Sequence, residues 1–204
     1  MIGLSSVLQY DLPAMKITVI KTPLDGVVFI DTAFFQDERG FFIESWHQRD
    51  YANAGLDMTF VQDGHSRSPR GVLRGLHYQD MTAPMGKLLR CTVGSIFDVA
   101  VDLRVGSPTL GRWAAVELTG ENKRQLMVPA GFGHAFLALT DDAEVFYKCT
   151  GYYTPSAEGG VAWNDPDIGI DWPTAAPVLS QRDREQVSFQ EYLRRPAFHY
   201  RAQA

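Results

Sequence analysis

Apolar and polar residues alternate along this chain in short runs, each closed by a turn signal. Runs of this kind occupy residues 26–31, 40–46, 58–63, 72–78, 87–93, 95–103, 112–119, 124–128, 134–140 and 144–150. Each predicts a strand, because a period of two puts every second side chain on one face of a sheet. Gly94, the Gly106-Ser107-Pro108 cluster, Gly120-Glu121-Asn122 and Asp141-Asp142 punctuate them as turns. Only two segments read as helices: 47–54, ended by Gly55, and 182–193, where Val187, Tyr192 and Leu193 form a weak apolar stripe. Many short strands with few helices predict an all-β sandwich or barrel; βαβ spacing is absent.

Two runs carry more than packing. In 95–103, Phe97, Val99, Val101 and Leu103 alternate with Ile96, Asp98, Ala100 and Asp102. The first set predicts a core face, and the second a mixed face with two carboxylates. Asp98 and Asp102 read as structural groups paired with nearby arginines, with a pocket role as the alternative. The 72–78 run and its continuation hold Arg74, His77 and Gln79 where a plain strand would hold threonine or valine. Arg74 and His77 are three apart, so a regular strand sends them to opposite faces. A bulge or kink at Gly75 would turn both into one cavity, and that irregularity is expected. A histidine held on a rigid strand is suited to taking or giving a proton.

Composition narrows the classes. The chain has 204 residues, 45% of them hydrophobic, enough for one sizeable core. Its net charge is −5, with no long basic block, so a general electrostatic nucleic-acid binder is not expected. Cys91 and Cys149 sit in apolar runs and read as buried free thiols. The N-terminus lacks a basic start followed by an apolar stretch, and Asp11 and Pro13 interrupt it. Neither a signal peptide nor a membrane span is expected, and a cytoplasmic soluble protein follows. Residues 1–15 read as an extension, disordered or reflecting start-site ambiguity, and 16–204 as a single domain with a C-terminal helical segment.

Pro129-Ala130-Gly131-Phe132-Gly133-His134 resembles the second motif of cupins, a turn entering a strand. The first cupin motif is half present. Gly71 is followed by five residues and His77, but Gln79 replaces the second histidine, and residues 82–85 supply no glutamate. Two ligands of four do not make a first-row metal site. The resemblance therefore implies a cupin-type jelly roll without a metal, with His77 and His134 free for organic chemistry.

Further stretches resemble the dTDP-4-dehydrorhamnose 3,5-epimerase family, from about Lys16 to Asp183. They are Asp37 to Phe42, Gln62 to Gln79, Gly86-Lys87-Leu88, Glu121 to Leu126, Pro129 to Phe136, Tyr147-Lys148, Tyr152-Tyr153 and Trp163-Asn164-Asp165. The resemblance implies a cofactor-free isomerase acting on a nucleotide-linked 4-keto-6-deoxyhexose, and a homodimer in which an N-terminal strand region crosses to the partner. Inverting a stereocentre beside a ketone requires a base on one face, an acid on the other and a cation or donor at the carbonyl oxygen. By resemblance His77 is the base and Tyr147 the acid, while Lys87 lies near the carbonyl. Asp183, in Leu179-Ser180-Gln181-Arg182-Asp183, is either the partner of His77 or a helix cap. Arg39 and Arg74 match pyrophosphate- or sugar-contacting arginines, Glu44 and Gln62 match base or sugar contacts with Asp63 and Gly64 beside Gln62 also expected at the substrate, and His134 matches a sugar contact. Tyr153 matches an aromatic stacked on the pyrimidine, with Glu158 and Arg182 as weaker matches.

One departure bears on the nucleotide. The family usually reads Gln-Asp-Asn-His-Ser where this chain has Gln62-Asp63-Gly64-His65-Ser66. The lost amide leaves open a relative that acts on another nucleotide-linked 4-keto sugar; a relative that acts at C3 only is a separate alternative. A non-catalytic sugar-binding cupin is the reading from another class.

Overall fold

The structure, a computed structural model, describes residues 17–201. The extension expected at 1–15 lies outside them. The strands are β1 (Ile17–Lys21), β2 (Val28–Thr32), β3 (Phe35–Asp37), β4 (Gly40–Phe42), β5 (Gln62–Ser68), β6 (Leu73–Gln79), β7 (Lys87–Val93), β8 (Ser95–Asp102), β9 (Trp113–Thr119), β10 (Gln125–Val128), β11 (Phe132–Ala138), β12 (Ala143–Cys149) and β13 (Glu158–Gly160). They form a six-stranded sheet in the order β1-β2-β10-β7-β12-β5 and a five-stranded sheet in the order β13-β6-β11-β8-β9, with β3 and β4 as a separate hairpin. Two antiparallel sheets facing each other make the all-β sandwich that the strand spacing predicts, of the cupin-like kind that the motif resemblance implies. The helices are α1 (Gln48–Asn53), α2 (Gln181–Arg184) and α3 (Phe189–Arg194). Among the described residues, no helix is long and apolar enough to cross a membrane.

Apolar residues are buried in three layers. Between the sheets, Leu89, Leu126 and Val145 meet Ile96, Ala100 and Phe136. On the outer face of the five-stranded sheet, Val99, Val101 and Leu103 pack beneath Phe189, Tyr192 and Phe198 of the C-terminal segment. On the outer face of the six-stranded sheet, Ile30, Leu88 and Met127 pack with Tyr51 of α1. Each fully buried aliphatic side chain contributes about 1.5–3 kcal/mol. Both faces of β8 are therefore buried, which corrects the expectation of one core face and one mixed face. The Ile96-Asp98-Ala100 face points into the sandwich, and the Val99-Val101 face lies under the C-terminal cover.

Three expected elements shift. The 182–193 helix is two helices: Ser188 caps α3, and Val187 makes a β-bridge to Val161 that a continuous helix could not make. The 40–46 strand is confined to the three residues of β4. The 58–63 strand becomes β5 at Gln62–Ser68, while Met58 and Phe60 pack in the outer cluster beside α1. Helix α1 falls where expected, and Gly55 follows it at φ +86°.

The irregularity expected at Gly75 is present. His134 pairs with His77, but Phe136 pairs with Arg74, so β6 carries an extra residue between them. Gly75 has φ +133°, and a Cβ there would fall 2.3 Å from the Cβ of Ala135. The position requires glycine for both backbone and space.

Candidate active site

The bulge turns Arg74 and His77 into one cavity of about 540 Å³ between the sheets. The six-stranded sheet supplies Gln62, Ser66, Lys87, Tyr147 and Cys149, and the five-stranded sheet supplies His134. Tyr153, Glu158, Arg182 and Asp183 complete the lining.

His77 Nε2 lies 2.5 Å from Asp183 Oδ1. Asp183 sits in the first turn of α2, where Ser180 is the N-cap. The Asp183 amide donates to Ser180 Oγ at 3.1 Å, and the Ser180 hydroxyl donates back to Asp183 Oδ2 at 2.6 Å. The helix start and the histidine pairing are one construction: Asp183 is the partner of His77, and the expectation that it caps the helix is corrected, because Ser180 is the cap and Asp183 lies in the first turn. Burial works to raise the Asp183 carboxyl, but hydrogen bonds from His77 and Ser180 outweigh it and hold it below its ordinary value. The ring nitrogen at Asp183 is fixed, which leaves the other available to a ligand.

A second pair lies on the neighbouring strands. His134 Nε2 is 2.8 Å from Asp98 Oδ1, and Asp98 is fully buried. Burial raises the Asp98 carboxyl, and the adjacent His134 only partly opposes this. Its partner is thus a histidine, which corrects the arginine pairing expected from sequence. The expectation holds for Asp102, whose Oδ2 lies 2.8 Å from the Arg104 guanidinium. The pairing of Asp98 with His134 went unread, although its place between inward-facing Ile96 and Ala100 marks it as an inward carboxylate.

Lys87 is desolvated by the cavity wall, and this lowers its ammonium pKa. Tyr147 is half-buried, and desolvation raises its phenol. At the mouth, the Tyr153 hydroxyl donates to Glu158 Oε2 at 2.8 Å, and Arg182 pairs with Glu158 Oε1 at 2.6 Å. Gln62 Oε1 accepts from the Tyr153 amide at 2.9 Å. Arg74 Nε donates to Ser68 Oγ at 3.1 Å and lends positive charge to the cavity. A tyrosine and cations at the mouth suit an anionic, aromatic ligand.

Three expected contacts stand apart. Arg39 lies in the exposed β3–β4 hairpin, held by Asp37. Glu44 lies near His47 and Asp50, outside the cavity lining. Asp63 points away from the cavity, as alternation along β5 dictates, and its Oδ1 accepts from Lys148 at 2.8 Å. Gly64 lies on the cavity side of β5, between Gln62 and Ser66, but behind Tyr147, its partner in the β5–β12 ladder, rather than in the lining itself. A Cβ there would fall 2.2 Å from the tyrosine ring.

The residues do not fit a cupin metal. The Gln79 amide donates to the carbonyls of Ala83 at 2.8 Å and Tyr152 at 3.1 Å, and its oxygen accepts from the Thr154 amide at 2.7 Å. It is fully spent on the backbone, so the position that carries the second histidine of the cupin motif has no donor to offer a metal.

Residues 21–191 match the family model described as dTDP-4-dehydrorhamnose 3,5-epimerase. A dTDP-4-dehydrorhamnose 3,5-epimerase of Salmonella typhimurium is 52% identical over 167 residues, covering 81% of this chain and 91% of that protein. A dTDP-4-dehydrorhamnose 3-epimerase of Streptomyces niveus is 40% identical over 169 residues, covering 82% of each. The crystal structure of a dTDP-6-deoxy-D-glucose-3,5-epimerase from Legionella pneumophila, in complex with dTDP-4-keto-L-rhamnose, superposes with a TM-score of 0.88 at 43% identity. It covers 92% of this chain and 100% of that one. With this match spanning both sheets and the cavity between them, the chain belongs to the dTDP-4-dehydrorhamnose 3,5-epimerase family of isomerases.

Proposed function

We propose that this protein inverts C3 and C5 of dTDP-4-dehydro-6-deoxy-D-glucose, giving dTDP-4-dehydro-L-rhamnose. The observation that carries this reading is the His77–Asp183 pair facing one cavity with Lys87 and Tyr147. His77 takes the proton α to the C4 ketone, and Asp183 fixes its tautomer and stabilises the imidazolium that forms. Lys87 faces the ketone oxygen and stabilises the enolate; a donor so placed in a dry site contributes roughly 3–4 kcal/mol. Tyr147, kept protonated by burial, returns a proton to the opposite face. His134 holds the sugar. Tyr153 stacks on the pyrimidine, with Gln62, Arg74, Glu158 and Arg182 around the diphosphate and the sugar. Atoms balance within each step: the carbon loses one proton to His77 and regains one from Tyr147, and solvent restores both groups. The chemistry draws on no redox partner.

The working unit in this reading is a cytoplasmic homodimer. Phe34, Phe35, Phe41 and Phe42 are all exposed on and around the β3–β4 hairpin. Such a cluster suits burial against a second copy. Arg39 and Glu44, remote from their own cavity, then serve the partner's.

The test is incubation of the substrate in D₂O with NMR detection. Deuterium at both carbons is expected, and none at either would overturn the reading. Deuterium at C3 only supports the second reading, a 3-epimerase, the activity that the Streptomyces niveus relative is named for.

A further inference from the structure

Behind the cavity-lining Tyr147 lies a glycine that its backbone does not explain. Gly64 lies within β5, and its φ is not in the left-handed region that favours glycine. A glycine inside a strand weakens it, and often marks a close approach by another group. Here the group is the hydroxyl end of Tyr147. A Cβ on residue 64 would fall 2.2 Å from Tyr147 Cζ, 2.4 Å from Cε2 and 2.5 Å from the phenol oxygen. None of these separations is tolerable, so the ring can rest there only over a bare Cα.

The same packing occurs once more, where a Cβ on Gly159 would meet the hydroxyl end of Tyr78 at 2.5–2.6 Å. Tyr78, however, packs against the buried C-terminal cluster. Tyr147 instead lines the cavity, so its placement bears on a ligand.

We infer that Gly64 is a positioning residue: it seats the Tyr147 phenol against the β5 wall and thereby sets how protons are shared between the two carbons beside the ketone. This rests on the proposed epimerase reading. A side chain at 64 leaves the phenol no seat on β5. The ring must then move into the cavity, toward the sheet that carries His77 and His134. The two acidic carbons flank the ketone on opposite sides, so a displaced donor serves them unequally. Gly64 would then act on the ratio of the two exchanges rather than on substrate affinity.

The test uses Gly64→Ala and Gly64→Asn in the full chain, both of which the backbone at 64 permits. Crystal structures of the two variants should show the Tyr147 ring moved off β5. In D₂O, the ratio of deuterium at C5 to deuterium at C3 should shift by about threefold or more, with KM changed by less than about threefold. In a Tyr147→Phe background, Gly64→Ala should change kcat by less than about twofold, because the hydroxyl it positions is already gone. A ring that stays in place would overturn the inference, as would an unchanged ratio or an equal loss in both backgrounds. Absence of exchange in the unaltered protein would instead sink the epimerase reading, while the ring displacement would still report on the seat.

Discussion

The Asp183 carboxylate lies 2.5 Å from the His77 ring, joining the short helix α2 to the bulged strand β6. The contact ties stability to the site. The folded protein holds the Asp183 carboxyl below its ordinary value, so the folded state binds fewer protons there than the unfolded chain does. The stability this adds is present above the unfolded carboxylate pKa, near 3.9, and is lost as pH falls through the lower folded value. Asp183→Asn should therefore destabilise the protein by about 1.5–3 kcal/mol at pH 7, the range for hydrogen bonds to charged groups. Urea unfolding of both proteins should show the gap closing as pH falls below about 4. A gap that stays constant to low pH would contradict the pairing.

Lys87 should act as a cation. Desolvation lowers its pKa, so it loses its proton at a lower pH than the ordinary lysine value of about 10.4. The rate should decline on the alkaline side below that value, as the cation beside the ketone oxygen is neutralised. Replacing it by glutamine should reduce kcat about 10²–10³-fold, the loss for one oxyanion donor. It should also remove that alkaline limb. A pH–rate profile of Lys87→Gln that keeps the limb would assign it to another group, such as Tyr147.

Gly75 should tolerate no side chain. Alanine there meets Ala135 and sits at a φ of +133°. Strain and overpacking together are expected to cost roughly 2–4 kcal/mol. Denaturant unfolding of Gly75→Ala checks this, and a loss under about 0.5 kcal/mol would mean the bulge is not fixed.

Arg39 tests the proposed homodimer and its shared site. Arg39→Ala should lose activity although the residue stands apart from its own cavity. Mixing it with the inactive His77→Ala, after unfolding and refolding together, should restore roughly a quarter of wild-type activity, since half the dimers carry one intact site of two. No recovery would place Arg39 outside the partner's site.

The β-sandwich and the kink at Gly75 were legible in the sequence, because alternation carries them directly, and the family resemblance pointed to His77, His134, Lys87 and Tyr147. Ten strands were expected where thirteen are described: the short β3 and β13 and the edge strand β1 had no counterpart. β5 was misplaced because Gln62, Gly64 and Ser66 face a polar cavity, leaving no apolar stripe to read. The helix break before Ser188 was hidden because Val187 looks like part of a helical stripe, while its contact is a long-range bridge to Val161. The Asp98–His134 pair was missed for the same reason: strand periodicity gives a face, not a partner. Tyr147 and Gly64 were each conspicuous, but their contact depends on the β5–β12 register.

The central claim is that His77 removes the proton beside the ketone. Its most direct measurement is deuterium exchange into dTDP-4-dehydro-6-deoxy-D-glucose, followed by NMR for the wild-type protein and for His77→Ala at matched nucleotide saturation. The account predicts exchange at C3 and C5 in the wild type and a loss of about 10²–10⁴-fold at both carbons in the variant, the contribution of a positioned general base. Exchange that persists at the wild-type rate in a folded, nucleotide-binding His77→Ala protein would contradict it.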